Sequence, residues 1–417
     1  MTKPTGNAGL PPLSNPAHSV ACPACSHNVA VPFFRSTQPL ATLAFPDTVE
    51  EAESLARHRL DFVRCVGCGH VFNQRFSYGR VPYAKKPNLM FNRSRNWSSF
   101  IRQARDTILS RLPSTPTVVE IGYGDGSFLA AMADGRPEGR CIGFDPHEVP
   151  VHHAGITFRA ELFDPMVHIE ELQPDVVISR HVLEHLTSPL SFLQRMSFAC
   201  SLTGQSPLLY LEVPCIDNLL TSGRTVDLYY EHSSQFTTRS FTTMLTRSGL
   251  AIETIEHGYG GEVIYALARV APSPDSVAIA EEAARYVAVT RRAKRTIGRQ
   301  LDALCAAGKT LAIWGGTGKS AAFINHYGLD RRRFPMVVDS DPDKVDTHVP
   351  GAGQQIRFRD ALLETPHDII LIPPQWRAVD ILQEIRSVGI RFEQILIEHD
   401  GRLIDFLAEP HPYRAPD

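Results

Sequence analysis

The strand Thr117–Ile121, followed at once by Gly122-Tyr-Gly124-Asp125-Gly126, constrains this chain more than any other segment. A short β-branched run enters a turn with glycine at every second position and leaves it as an apolar helix (SFLAAMA, 127–133). Glycine permits the left-handed backbone such a turn needs, and the N–H groups at the head of the helix are left facing a ligand. A helix that returns the chain after each strand implies parallel strands with both sheet faces covered. Further strands are readable at Arg140–Asp145, Gly155–Phe158, Asp175–Ser179, Pro207–Val213 and Tyr265–Val270, with helices over Trp97–Leu112 and Ser240–Ser248. The run APSPDS (271–276) predicts a linker. After it come a long amphipathic helix, Val277–Ala307, and a second series with strands Thr310–Trp314, Met336–Asp339 and Asp368–Pro373. The fold class is therefore α/β, with two Rossmann-like units in one chain.

The N-terminal part follows other rules. Residues 1–19 are polar and rich in Pro, Gly and Asn, without the apolar core of a signal peptide, and predict a disordered leader. Cys22-Pro-Ala-Cys25 and Cys65-Val-Gly-Cys68 form two CxxC knuckles, each of which sets two sulfurs on one side of a tight turn. Together they supply the four ligands of a structural zinc site, with rubredoxin-like iron or a redox dithiol as competing readings. Cys141, Cys200, Cys215 and Cys305 sit among apolar neighbours and read as small core hydrophobes. The expected domains are a leader (1–19), a four-Cys module (20–85), a central unit (86–270) and a linker helix with a C-terminal unit (271–417). Composition narrows the class further: 43% hydrophobic and 21% charged residues with net charge −3 describe an ordinary globular chain of 417 residues. No apolar run approaches the ~18 residues of a membrane span. A cytoplasmic protein without nucleic-acid or membrane partners is expected.

Chemistry concentrates in four places. Glu120 opens the glycine loop, and Asp145 ends the next strand about 20 residues on, where an acid can bind both hydroxyls of a ribose. The GxGxG spacing differs from the GxGxxG of dinucleotide-binding proteins and resembles the first motif of class I S-adenosylmethionine-dependent methyltransferases. Arg180-His181-Val-Leu-Glu184-His185 follows a strand at the point where substrate and cofactor meet in such enzymes. His181 is expected at the mouth of the site and His185 in a buried structural role. Tyr229-Tyr230-Glu231-His232 offers a histidine base with a carboxylate and phenols beside it. Gly315-Gly-Thr-Gly318-Lys319-Ser320 fails as a P-loop, since the required glycine at 313 is Ile. It reads instead as a Rossmann-like turn, with Asp339 ending the next strand and ligand binding left open. Arg331–Arg333 read as a solvated basic turn that could also help hold a substrate diphosphate.

In this order, the parts resemble the sugar C-methyltransferase family of bacterial natural-product and polysaccharide pathways, over nearly the whole chain. The two CxxC pairs, HVLEHLTSPLSFL, Tyr229–Phe236 (similar to a YHEHxSYF motif), DSDPDK and HVPG carry the resemblance. It implies a zinc-binding N-terminal module, a central class I methyltransferase domain and a C-terminal Rossmann-like α/β domain. It further implies methyl transfer from S-adenosylmethionine to C-3 of a nucleotide-diphospho-4-keto-deoxysugar. Zinc would sit on Cys22, Cys25, Cys65 and Cys68. The cofactor would be held by Glu120, Gly122, Gly124, Asp125, Gly126 and Asp145, with Phe163. His232 would be the base, oriented by Glu231, while Tyr229 and His181 hydrogen-bond the ketone or enolate oxygen; either histidine fits either role. Departures lie on the substrate side: Gln235 replaces a Tyr, and His257-Gly-Tyr-Gly-Gly-Glu262 replaces an HGGSxR-like segment, while the family's tyrosine-rich stretch is echoed only by Tyr78 and Tyr83. An O- or N-methyltransferase for another small metabolite is the alternative enzyme. A zinc-ribbon adaptor for nucleic acid is the non-enzymatic one, disfavoured by the acidic balance.

Overall fold

Val118, Val119, Glu120 and Ile121 are all buried, so strand Thr117–Ile121 is covered on both faces, as a central parallel strand must be. The computed structural model of the chain describes residues 17–42, 46–81, 94–146 and 153–414. The expected leader falls almost wholly outside these residues, as does Tyr83. Thr117–Ile121 belongs to a seven-stranded sheet ordered Leu250–Gly258, Val263–Val270, Leu208–Pro214, Val176–Arg180, Thr117–Ile121, Arg140–Phe144, Ile156–Arg159. The last five run parallel, and Val263–Val270 is antiparallel to both of its neighbours. Strand order reverses between Thr117–Ile121 and Val176–Arg180, which opens a crevice at their carboxyl ends. The glycine loop and His181 both leave the sheet at that crevice.

Helix Arg95–Leu109 starts at Ser94, whose hydroxyl accepts the Trp97 N–H at 3.2 Å. Trp97, Phe100, Ala104 and Ile108 recur at helical spacing and pack with Phe128, Met132, Tyr210 and Tyr265 against one sheet face. Leu193, Met196, Cys200, Phe241 and Leu245 cover the other. Two expectations change. Leu250–Gly258 is an edge strand that the sequence does not betray, because a register shift between Ile252 and Thr254 breaks its alternation and most of it is not buried. The second half of the run read as a linker is already helix: Pro274 opens Pro274–Ala306, a position where its missing N–H is no loss. The boundary between two compact units, Val277 and Ala278, falls inside this helix.

The N-terminal sheet is antiparallel and ordered His18–Ser19, Val29–Gln38, His58–Cys65, Val71–Asn73, Ser234–Gln235. Its last strand comes from the segment just after His232, so the four-Cys module is completed by the central sequence. The second unit holds a six-stranded sheet ordered Ile356–Phe358, Met336–Asp339, Leu311–Trp314, Ile369–Leu371, Gln394–His399, Arg402–Asp405. Only the pairing of the last two strands is antiparallel. Among the described residues no helix is long and apolar enough to cross a membrane.

Candidate active site

Gly122, Gly124 and Gly126 all have left-handed backbone, with φ of 71°, 55° and 73°. At Gly122 the space is closed as well, since a Cβ there would lie 2.4 Å from Val182 Cγ2. The glycine loop therefore packs directly on the segment after His181. Tyr123 anchors it from below against Phe158, ring centroids 4.8 Å apart. Gly124 N–H points at Asp145, 3.3 Å from Oδ2, which sets the acid beside the loop. Asp125 is exposed and accepts the Ser127 N–H at the start of the helix. Glu120 is 2% exposed, and burial pushes its carboxyl up to about 8. Its Oε2 has no hydrogen-bond partner, an orphaned acceptor beneath a backbone-lined turn. These residues fit the amino-acid and ribose ends of S-adenosylmethionine. Phe163 does not share that surface. It is 6% exposed and packed edge-on to Phe144 and beside His168, so it reads as core beneath the site and not as an open face for the cofactor.

Beside the crevice lies a cavity of about 480 Å³, lined among others by His181, Glu184, His185, Tyr229 and His232. The three histidines occupy different electrostatic settings. His181 sits in left-handed backbone (φ 53°), with Nε2 3.0 Å from Glu212 Oε1 and Nδ1 3.4 Å from Glu184 Oε1. Burial alone would lower its pKa, but the two carboxylates outweigh it and raise it to about 9, so the ring is an imidazolium at neutral pH. Glu212 has no exposure in the middle of an apolar strand. It also takes Arg180 at 3.0 Å and the Tyr210 hydroxyl at 2.7 Å. Burial opposes its charge, yet Arg180 and His181 bring its pKa down to about 2. His232 is the reverse case. Burial first, then the neighbouring His185 and His181, push its pKa well below the usual histidine value, so it is neutral. Its Nε2 lies 2.8 Å from the Tyr229 hydroxyl, and His185 meets its ring edge-on at 4.8 Å. His185 is not merely structural packing, since it lines the cavity, with Nδ1 held 2.9 Å from the Glu231 carbonyl.

Both nitrogens of His181 lie near carboxylates, and Nε2 is buried without a well-formed hydrogen bond. The Glu231 carboxylate, fully buried, accepts the Thr42 N–H at 2.7 Å and the Thr42 hydroxyl at 3.1 Å, tying the loop to the N-terminal module. The group that meets His232 Nε2 is Tyr229.

Two family models and one curated relative match this chain. A methyltransferase domain model matches residues 92–255, and a model described as the C-methyltransferase C-terminal domain matches residues 276–394. C-methyltransferase NovU of Streptomyces niveus is 23% identical over 94% of this chain and 97% of its own length. The chain belongs to the C-methyltransferase family. It is an S-adenosylmethionine-dependent methyltransferase. Among solved structures, the mitomycin 7-O-methyltransferase MmcR overlaps 42% of this chain and 54% of its own, about half its length, at 21% identity and TM-score 0.32. A Burkholderia thailandensis 1,6-didemethyltoxoflavin-N1-methyltransferase overlaps 42% of this chain and 80% of its own, at 13% identity and TM-score 0.33.

In this methyltransferase the four cysteines converge. Cys22 and Cys68 sulfurs lie 3.7 Å apart, those of Cys25 and Cys65 lie 3.6 Å apart, and all four are within 4.8 Å of one another and buried. A tetrahedron with Zn–S bonds of ~2.3 Å has edges of about 3.8 Å, so the spacing suits a thiolate-bound metal and is far too long for a disulfide. Glu184, His185 and His232 also bring ligand atoms within 4.8 Å, as do Cys215, Asp217 and His257.

Glu212 and Trp97 had no role assigned from sequence, and Arg180 and Glu184 were named only within their motif. Glu212 alone left a signal, as an acid within the apolar run LLYLEV. Arg224 is 2.7 Å from Glu262, which lines the cavity.

Proposed function

We propose that the chain methylates the carbon next to the ketone, C-3, of a nucleotide-diphospho-4-keto-deoxysugar. The observation that carries this reading is one cavity walled by a neutral histidine, His232, and a charged one, His181. A proton beside a ketone is acidic enough for a positioned neutral imidazole to remove. His232 takes that proton, and the C–H electron pair becomes the enolate. The His181 imidazolium, fixed between Glu184 and Glu212, faces the charge that develops on the oxygen, and the Tyr229 hydroxyl supplies the hydrogen bond. The opposed environments support His232 as base and His181 as electrostatic partner. Glu120, the three glycines and Asp145 would hold S-adenosylmethionine, which when bound supplies a sulfonium methyl as the electrophile for the enolate carbon. Cys22, Cys25, Cys65 and Cys68 would hold zinc as a closed structural site. With one nitrogen of His185 and one of His232 already hydrogen-bonded, the Glu184–His185–His232 group reads as proton-handling.

The test is His232→Ala. We expect turnover to fall by about 100-fold or more, with S-adenosylmethionine affinity kept. Wild-type turnover would remove His232 from the mechanism.

A further inference from the structure

Where strand Leu208–Pro214 ends, three side chains meet that the proposed mechanism leaves without a role. Cys215 follows the strand, Asp217 opens helix Asp217–Ser222, and His257 stands near the end of the edge strand Leu250–Gly258. Their ligand atoms, a sulfur, a carboxylate oxygen and a ring nitrogen, all lie within 4.8 Å of one another. Backbone bonds fix the segment: the Cys215 N–H donates to the Glu262 carbonyl at 2.9 Å, and the Ile216 N–H to the Phe236 carbonyl at 2.9 Å. The Thr238 hydroxyl donates to Asp217 Oδ2 at 2.5 Å, and His257 Nε2 lies 2.9 Å from that hydroxyl. Carboxylate and imidazole are thus aimed at one point, with 3.9 Å between Nε2 and Oδ2.

Access and chemistry both suit a metal ion. Cys215 is 2% exposed, whereas the Asp217 and His257 side chains are 39% and 42% exposed, so an ion reaches the thiol past two ligands that already stand at the surface. A tetrahedral site with Zn–N and Zn–O bonds of ~2.0 Å has edges of about 3.3 Å, so the His257–Asp217 edge has to close by only about 0.6 Å. Thr238 lies in the first turn of helix Thr238–Arg247, and a helical threonine has two accessible rotamers, which lets its hydroxyl turn out of the ion's place. One thiolate, one imidazole and one carboxylate select a borderline cation such as Zn2+ or Co2+ over Mg2+ or Ca2+, which take oxygen ligands. Three protein ligands leave the fourth position to water, whereas four thiolates close a site. We infer that Cys215, Asp217 and His257 form a second transition-metal site, separate from the four-Cys group. An ion there ties helix Asp217–Ser222 and the edge strand to the wall of the methyl-transfer cavity, which Cys215 itself lines.

The full-length protein is dialysed against a mild chelator, which strips a three-ligand site before a closed four-thiolate one, and is titrated with Co2+ as wild type, Cys215→Ser and His257→Ala. The expected result for the wild type is saturable uptake of a single Co2+ with a sulfur-to-cobalt charge-transfer band that Zn2+ displaces. Cys215→Ser should abolish the band. His257→Ala, at an exposed position that leaves the core intact, should weaken Co2+ binding by about 100-fold. Retained zinc and S-adenosylmethionine affinity should be unchanged in both variants. No charge-transfer band in the wild type, or a band and an affinity unaltered in both variants, overturns the inference. Either failure leaves the methyl-transfer reading untouched, because the site shares no residue with His181, Tyr229 and His232.

Discussion

His181 and His232 line the same cavity, yet one is held charged and the other neutral. The difference comes from two acids, Glu212 and Glu184, to which the sequence alone assigns no role. Glu212 is an acid in a strand that otherwise reads as core, and Glu184 is one letter of HVLEH. Only the fold turns both toward His181, whereas His232 meets a phenol and another histidine. His181 gains its partners on folding, so its contribution to stability is fully present below about 6.5 and is lost as pH rises through about 9. Activity should follow the same limb: kcat/KM falls on the alkaline side near 9, and its acid limb lies well below 6.5, where His232 becomes protonated. Glu212→Gln should move the alkaline limb down by about one unit or more and destabilise the fold by ~3 kcal/mol, because Arg180 is left buried without its carboxylate. A pH–rate profile and a denaturant titration check both. An unmoved limb would show that His181 does not set it.

At the scale of elements, the four-Cys module and the loop that carries Tyr229 and His232 form one construction. Ser234–Gln235 pairs with Val71–Asn73, and His70 Nε2 lies 3.1 Å from the Ser234 hydroxyl. The Tyr230 hydroxyl accepts the Ser77 N–H at 3.0 Å, Tyr78 donates to the His185 carbonyl at 2.7 Å, and Glu231 is held by Thr42. The four-Cys group, which could hold a metal, therefore bears on the placement of Tyr229 and His232. Cys65→Ser should lower metal content and melting temperature together, and should cut turnover on the order of 100-fold while S-adenosylmethionine still binds. Metal analysis, melting curves and single-turnover assays read these separately. A stable, metal-free and fully active variant would contradict the coupling. The CxxC pairs were plain in the sequence, because ligand spacing is local. The pairing of Ser234–Gln235 with a strand more than 150 residues earlier was not, since two residues carry no periodicity.

At the scale of the molecule, the order of parts is legible because each leaves a local mark: thiol pairs, a strand–glycine turn–helix, then a second such turn. The glycine loop, Glu120 and Asp145 stand together as the motif spacing predicts, whereas Phe163 is packed into the core. Boundaries were less legible. Proline suggested a break at 271–276, and proline at a helix start produces the same letters. The substrate assignment rests on how the whole cavity divides acid from base, and one measurement tests it most directly. The protein is incubated in deuterated buffer with S-adenosylmethionine and a thymidine-diphospho-4-keto-6-deoxyhexose, and the sugar is weighed by mass spectrometry. The account predicts a gain of one methyl, and deuterium at the carbon beside the ketone when S-adenosylmethionine is withheld. Neither methyl gain nor exchange, from protein shown to bind the cofactor, would contradict it and direct the search to oxygen and nitrogen acceptors.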